Sequence, residues 1–123
     1  MTRLELLGKL ENVYKGNNLF NKIIVFGSTA RGDYRSDSDI DIYFESTLPI
    51  SRLSSSKKYQ ELEDRVYDII YDYNSNKKIG GCIEIDSLII NPSEVKSFKK
   101  SSIWGSIEKE GIVLWTSSNC NIG

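Results

Sequence analysis

GSTARGDYRSDSDIDIYF, residues Gly27 to Phe44, reads as a turn, a short helix, a polar connection and a strand. The β-branched run Ile23-Ile24-Val25-Phe26 leads into Gly27-Ser28 and has the composition of a buried strand, Lys22 to Phe26. After Ser28 come ten residues, then Asp39 and Asp41. Ile40, Ile42 and Phe44 alternate with Asp39, Asp41 and Tyr43, which places both aspartates on one face of a strand. Two carboxylates side by side in an apolar strand are costly unless a positive charge sits between them. A divalent cation such as Mg²⁺, which prefers oxygen ligands, answers that need. A Gly-Ser turn opening the helix Ser28 to Arg31 presents unpaired backbone N–H groups, which suit phosphate. The two halves together describe a site for a metal-bound nucleoside triphosphate.

The rest of the composition narrows the chemistry. The chain has 123 residues, the size of one domain, and the reading is a single domain over 1–123 with a loose polar tail at 116–123. Sixteen basic and 17 acidic residues balance, so no strong attraction to nucleic acid or anionic membrane is expected. There is no histidine, which removes imidazole bases and histidine metal ligands. Cys82 and Cys120 have no zinc-site spacing and read as free thiols of a reducing cytoplasm. No apolar run approaches the ~20 residues that span a bilayer, and Arg3, Glu5 and Lys9 argue against a signal peptide.

Around the central stretch, Thr2 to Tyr14 reads as a helix opened by a Thr2–Glu5 capping box. Ser54 to Tyr73 reads as a second long helix, with Leu62, Val66, Ile69, Ile70 and Tyr73 on one side. Cys82 to Ile90 reads as a third strand, Pro92 to about Phe98 as a short helix, and Ser101 or Ser102 as the cap of a helix running through Glu110. Ile112 to Trp115 closes the chain's regular structure as a short strand, and Trp104 and Trp115 are expected in the core.

Gly27-Ser28, Ala30-Arg31-Gly32, Ser38-Asp39 and Asp41 resemble the motif of the minimal nucleotidyltransferases of the DNA polymerase beta superfamily. Weaker echoes lie in Ile83 to Ile90 and in Glu110 to Trp115. The resemblance implies an α/β (α+β) fold: a small, mixed, twisted sheet with helices mainly on one side. It implies that Gly27 and Ser28 grip the outer phosphates and that Arg31 neutralises phosphate charge, while Asp37 stays a loop acid. It implies a third carboxylate on a neighbouring strand. Glu84 and Asp86 both qualify, and period-two alternation cannot separate them because they share a face. The family pattern favours Asp86, although Ser87 stands where that pattern is usually apolar. Asp39, Asp41 and Asp86 are then the ligands of two Mg²⁺ ions, with ATP as the substrate.

The resemblance further implies transfer of AMP from ATP to a hydroxyl. Many stand-alone domains of this kind are antitoxins that modify a tyrosine of a HEPN-type ribonuclease toxin, and that pairing is the first expectation for a partner. Transfer to a small molecule such as an aminoglycoside is the second. A non-catalytic module that neutralises a toxin by contact is the third, and the intact aspartate pair argues against it. Acceptor, base preference and oligomeric state stay open at this level.

Overall fold

A computed structural model describes residues 1–78 and 80–117. Four strands form one mixed sheet in the order β3-β2-β1-β4: β1 (Phe20–Phe26), β2 (Ile40–Ser46), β3 (Ile85–Ile90) and β4 (Ile112–Thr116). β1 runs antiparallel to both β2 and β4, and β2 runs parallel to β3. The β-branched centre of β1 explains its central place: Ile23, Ile24 and Val25 are all buried, which requires cover on both faces.

One face is covered by α1 (Arg3–Tyr14) and α4 (Lys57–Ser75). Leu6, Leu10 and Val13 meet Ile23, Val25, Ile42 and Phe44 there, joined by Leu62 and Val66 from α4. The capping box at the start of α1 forms as its sequence suggests: Glu5 N donates to Thr2 Oγ1 at 3.1 Å, and Thr2 N to the Glu5 carboxylate at 2.7 Å. The other face carries a smaller cluster under α5 (Ser102–Glu110), with Ile24, Tyr43, Phe98, Trp104 and Ile107. The sheet is thus sandwiched, with the larger helical layer on the α1/α4 side. Trp104 is buried in that second cluster, while Trp115 is only partly buried and donates from Nε1 to Phe20 O.

Three segments depart from the sequence reading, each because side chains capture the backbone. The helix expected over Ser54 to Tyr73 is α4, which starts only at Lys57 and reaches Ser75, and a separate short helix, α3 (Ile50–Ser54), precedes it. The run Ser54-Ser55-Ser56 divides them, and Ser56 caps α4 by accepting from Tyr59 N. The third strand begins at Ile85 rather than Cys82. The Asn74 side chain occupies both backbone groups of Ile83, at 3.0 and 2.9 Å, and the Asp39 carboxylate occupies the Glu84 N–H. Pro92 starts no α-helix. The Asn91 side chain accepts from Ser93 N and Glu94 N in a turn, and a 3-10 turn follows at Phe98–Lys100.

Among the described residues no helix is long and apolar enough to cross a membrane. Cys82 is an exposed free thiol, whereas Cys120 and most of the 116–123 tail lie outside the described residues.

Candidate active site

The candidate residues gather at one end of the sheet, where β1 finishes and β2 and β3 begin. Chain direction dictates this. β1 enters its turn at Phe26, opposite Asp41 of antiparallel β2. β3 is parallel to β2, so its own start lies alongside, and Asp41 is paired in register with Asp86. Glu84 precedes the strand. Its backbone is what the structure uses, since its N–H donates to Asp39 Oδ1 at 2.9 Å and its carbonyl accepts from Ile40 N. The structure therefore brings Asp86, not Glu84, against Asp41, and Asp39 is tied to the segment just before Asp86.

Gly27 closes the site from the β1 side. Its φ is +74°, a left-handed conformation that glycine adopts freely, and a Cβ there would collide with the Asp41 carboxylate. Ser28 follows in the first turn of α2 (Gly27–Arg31). That short helix ends at Gly32, φ +88°, whose N–H returns to Ser28 O at 2.9 Å. Arg31 lies at its exposed end and is held by two carboxylates, Glu110 at 2.9 Å and Asp33 at 3.2 Å. Its charge also acts on the Asp41 carboxyl. Asp37 is exposed in the connecting loop, as expected.

The electrostatics centre on Asp41. Partial burial pushes its carboxyl above the usual range, helped by the charge of Asp86, a hydrogen bond shared with Asp86, and the charge of Asp39. Arg31 opposes the shift. Two like charges in register on neighbouring strands are relieved by a cation between them. The donor set is all oxygen, so the residues fit Mg²⁺ in chemistry. They are not closed around an ion: among the described residues no three acids converge at ligand spacing, because Asp39 is turned to the Glu84 N–H.

Sequence reasoning missed Arg3. Its side chain is buried, and NH1 donates to Thr29 Oγ1 in α2 at 3.2 Å and to Ser38 O at 2.9 Å. NH2 reaches Arg35 O at 3.3 Å, and the guanidinium lies 4.5 Å from the centre of the Tyr34 ring. One side chain from α1 thus clasps both α2 and the loop that delivers Asp39. An arginine at a helix start reads as solvated, and the only sequence signal is that Leu6 and Leu7, not acids, stand three and four residues on.

A stretch of 38 residues is 53% identical to the "Putative protein adenylyltransferase" of Methanocaldococcus jannaschii, covering 31% of this chain and 36% of that protein. The crystal structure of a "putative nucleotidyltransferase" from Sulfolobus solfataricus is 18% identical, with a TM-score of 0.46 over 94% of this chain and 85% of the other. The family model described as "Nucleotidyltransferase domain" matches residues 9–105, which include the whole Gly27-to-Asp41 turn and the strand that carries Asp86. The chain belongs to the nucleotidyltransferase domain family.

Proposed function

We propose that this chain transfers AMP from Mg-ATP to a protein hydroxyl, and that the acceptor is a tyrosine of a HEPN-type toxin partner. The observation that carries the transferase reading is the in-register pair Asp41–Asp86 beneath the Gly27 turn. The protein acceptor rests on the short, strong match to a protein named as an adenylyltransferase and on the motif resemblance.

Asp39, Asp41 and Asp86 would hold the metal, whose chemistry there is to orient the triphosphate and offset charge that develops on it. Ser28 binds outer phosphate oxygens through its hydroxyl and backbone N–H. Gly27, lacking a Cβ, keeps the turn close to Asp41. Arg31, charged and exposed, adds positive potential at the rim. Asp86 takes the proton of the acceptor hydroxyl. The acceptor oxygen then bonds to the α-phosphorus, the α–β bridging P–O bond breaks, and pyrophosphate leaves with that electron pair.

The test is incubation with Mg²⁺ and lysate of the source cells, using ATP labelled at the α-phosphate in one arm and at the γ-phosphate in the other. A protein band labelled only from the α-position is the expected result. Label from the γ-position, or only in a small molecule, overturns the reading.

A further inference from the structure

β3 is an edge strand, and the sheet edge it leaves faces a groove of about 640 Å³ between β3 and α4. Natural proteins usually blunt such an edge, because it is a template for another chain. Here the wall is instead apolar and aromatic, with carboxylates as its charged groups. Tyr67 and Tyr71 of α4 lie along it, 67% and 64% exposed, with their rings stacked at 6.4 Å. Solvated tyrosines of this kind cost little entropy to immobilise and are favoured at interfaces. Three carboxylates line the groove, Glu63, Asp64 and Glu84, and no lysine or arginine does.

The sign of that charge selects the occupant. Three carboxylates with no cation beside them disfavour a triphosphate there. A cationic chain is attracted, and lysine or arginine side chains can also lie over the tyrosine rings. The groove's position fits the acceptor. Its lining includes Ile85 and Ser87, which flank Asp86 in the edge strand, and Glu84, whose N–H holds Asp39. Asp86 points to the opposite face of the sheet from those two neighbours, so only the width of one edge strand separates the groove from the candidate base. The triphosphate turn, Gly27-Ser28, lies on the other side of Asp41.

We propose that the α4–β3 groove docks an extended, lysine- or arginine-bearing segment of the protein acceptor, laid along the free edge of β3. Such strand addition draws affinity from main-chain hydrogen bonds, and the aromatic and acidic wall supplies selectivity. The docked chain turns round the strand edge near Glu84 and presents its hydroxyl to Asp86. This inference rests on the transferase reading for its purpose but not for its binding step.

The probes are two random copolymers, poly(Lys,Tyr) and poly(Glu,Tyr), with binding followed by fluorescence anisotropy on the full chain at physiological salt. The wild type should bind poly(Lys,Tyr) at least ~10-fold more tightly than poly(Glu,Tyr). The variant Glu63→Gln/Asp64→Asn/Tyr67→Ala/Tyr71→Ala should lose at least ~10-fold of that affinity, and Tyr67→Ala/Tyr71→Ala alone, which keeps every charge, a smaller but measurable share. Glu11→Gln/Glu61→Gln removes the same number of charges elsewhere and should change binding less than ~2-fold. Equal binding of both copolymers, or equal losses in the groove variant and its charge-matched control, overturns the groove. Intact copolymer preference with no α-phosphate label reaching any protein overturns the transferase reading instead, leaving the groove as a docking site. Label transfer that is indifferent to the groove variant overturns the groove alone.

Discussion

Arg3 donates to the Thr29 hydroxyl at 3.2 Å across 26 residues of sequence, and the same guanidinium nitrogen donates to Ser38 O at 2.9 Å. The first contact reaches the helix behind Ser28, the second the residue before Asp39. No carboxylate pairs with this buried cation among the described ion pairs, and its Nε has no partner. Burying an arginine without a counter-charge is expensive. What the fold gains is a fixed distance between α2 and the residue that precedes Asp39.

Replacing that clasp should therefore affect binding before chemistry. Arg3→Met leaves the Ser38 and Arg35 carbonyls short of a donor and should cost about 2 kcal/mol of stability by urea unfolding. Calorimetry should show Mg-ATP affinity falling about 10-fold, while the single-turnover rate at saturating nucleotide changes less. Arg3→Lys restores one donor and should recover part of the affinity. Equal loss of stability in both variants with unchanged nucleotide affinity would reduce Arg3 to a purely structural residue.

Gly27 tests the other wall. Alanine there must adopt a φ of +74° and push its Cβ against the Asp41 carboxylate. Strain of this kind is worth about 1–3 kcal/mol, so a thermal melt should show a clear loss. Displacement of Asp41 should also remove measurable transfer, even in protein kept cold and fully folded. Gly32→Ala is the comparison: its φ is +88° but nothing lies within 4 Å of the added Cβ, so it should share the strain and keep the activity. If both variants transfer AMP alike, the close approach of Gly27 to Asp41 has no role in catalysis.

Glu63 sets a pH dependence away from the aspartates. Burial raises its carboxyl above the usual 4.5 and the charge of Asp64 adds to this, against an opposing hydrogen bond with Tyr59. The folded chain thus holds this proton more tightly than the unfolded chain. The stability so contributed is present in full below 4.5 and is lost as the pH rises through the folded-state value. Glu63→Gln should flatten the stability profile between about pH 4 and pH 7 and be no less stable than wild type at the upper end. A variant that loses more stability at the upper end than at the lower would mean that Glu63 gains a partner when ionised, contrary to its surroundings.

How much of this could be read from the chain depends on the range over which each cause acts. The Gly27-to-Phe44 stretch was legible because turn chemistry and strand alternation are local. The capping box at Thr2–Glu5 was legible for the same reason. The start of β3 was not, because it is set by Asn74, nine residues before Ile83, and by Asp39 from the residue just before β2. Nor was the late start of α4, which the Ser56 side chain fixes by accepting from Tyr59 N. Arg3 was invisible, since nothing near it in sequence suggests burial. The choice between Glu84 and Asp86 shows the limit most plainly: alternation puts both on one face, and only the pairing register of β2 with β3 separates them.

That register yields the sharpest test of the site. Asp86 stands opposite Asp41 in register, whereas Glu84 is exposed ahead of the strand and contributes its backbone. General-base assistance is worth about 10²–10⁴ in rate, and lost metal coordination adds to it. Asp86→Asn should thus slow single-turnover transfer by at least ~100-fold while Mg-ATP still binds through Asp39, Asp41 and Ser28. Glu84→Gln keeps the N–H that holds Asp39, so its rate should stay within about 3-fold of wild type, a loss of well under 1 kcal/mol in barrier. An inactive Glu84 variant beside a nearly normal Asp86 variant would place the base two residues earlier. The β2–β3 pairing would then have to slip by two residues for Glu84 to stand where Asp86 does now.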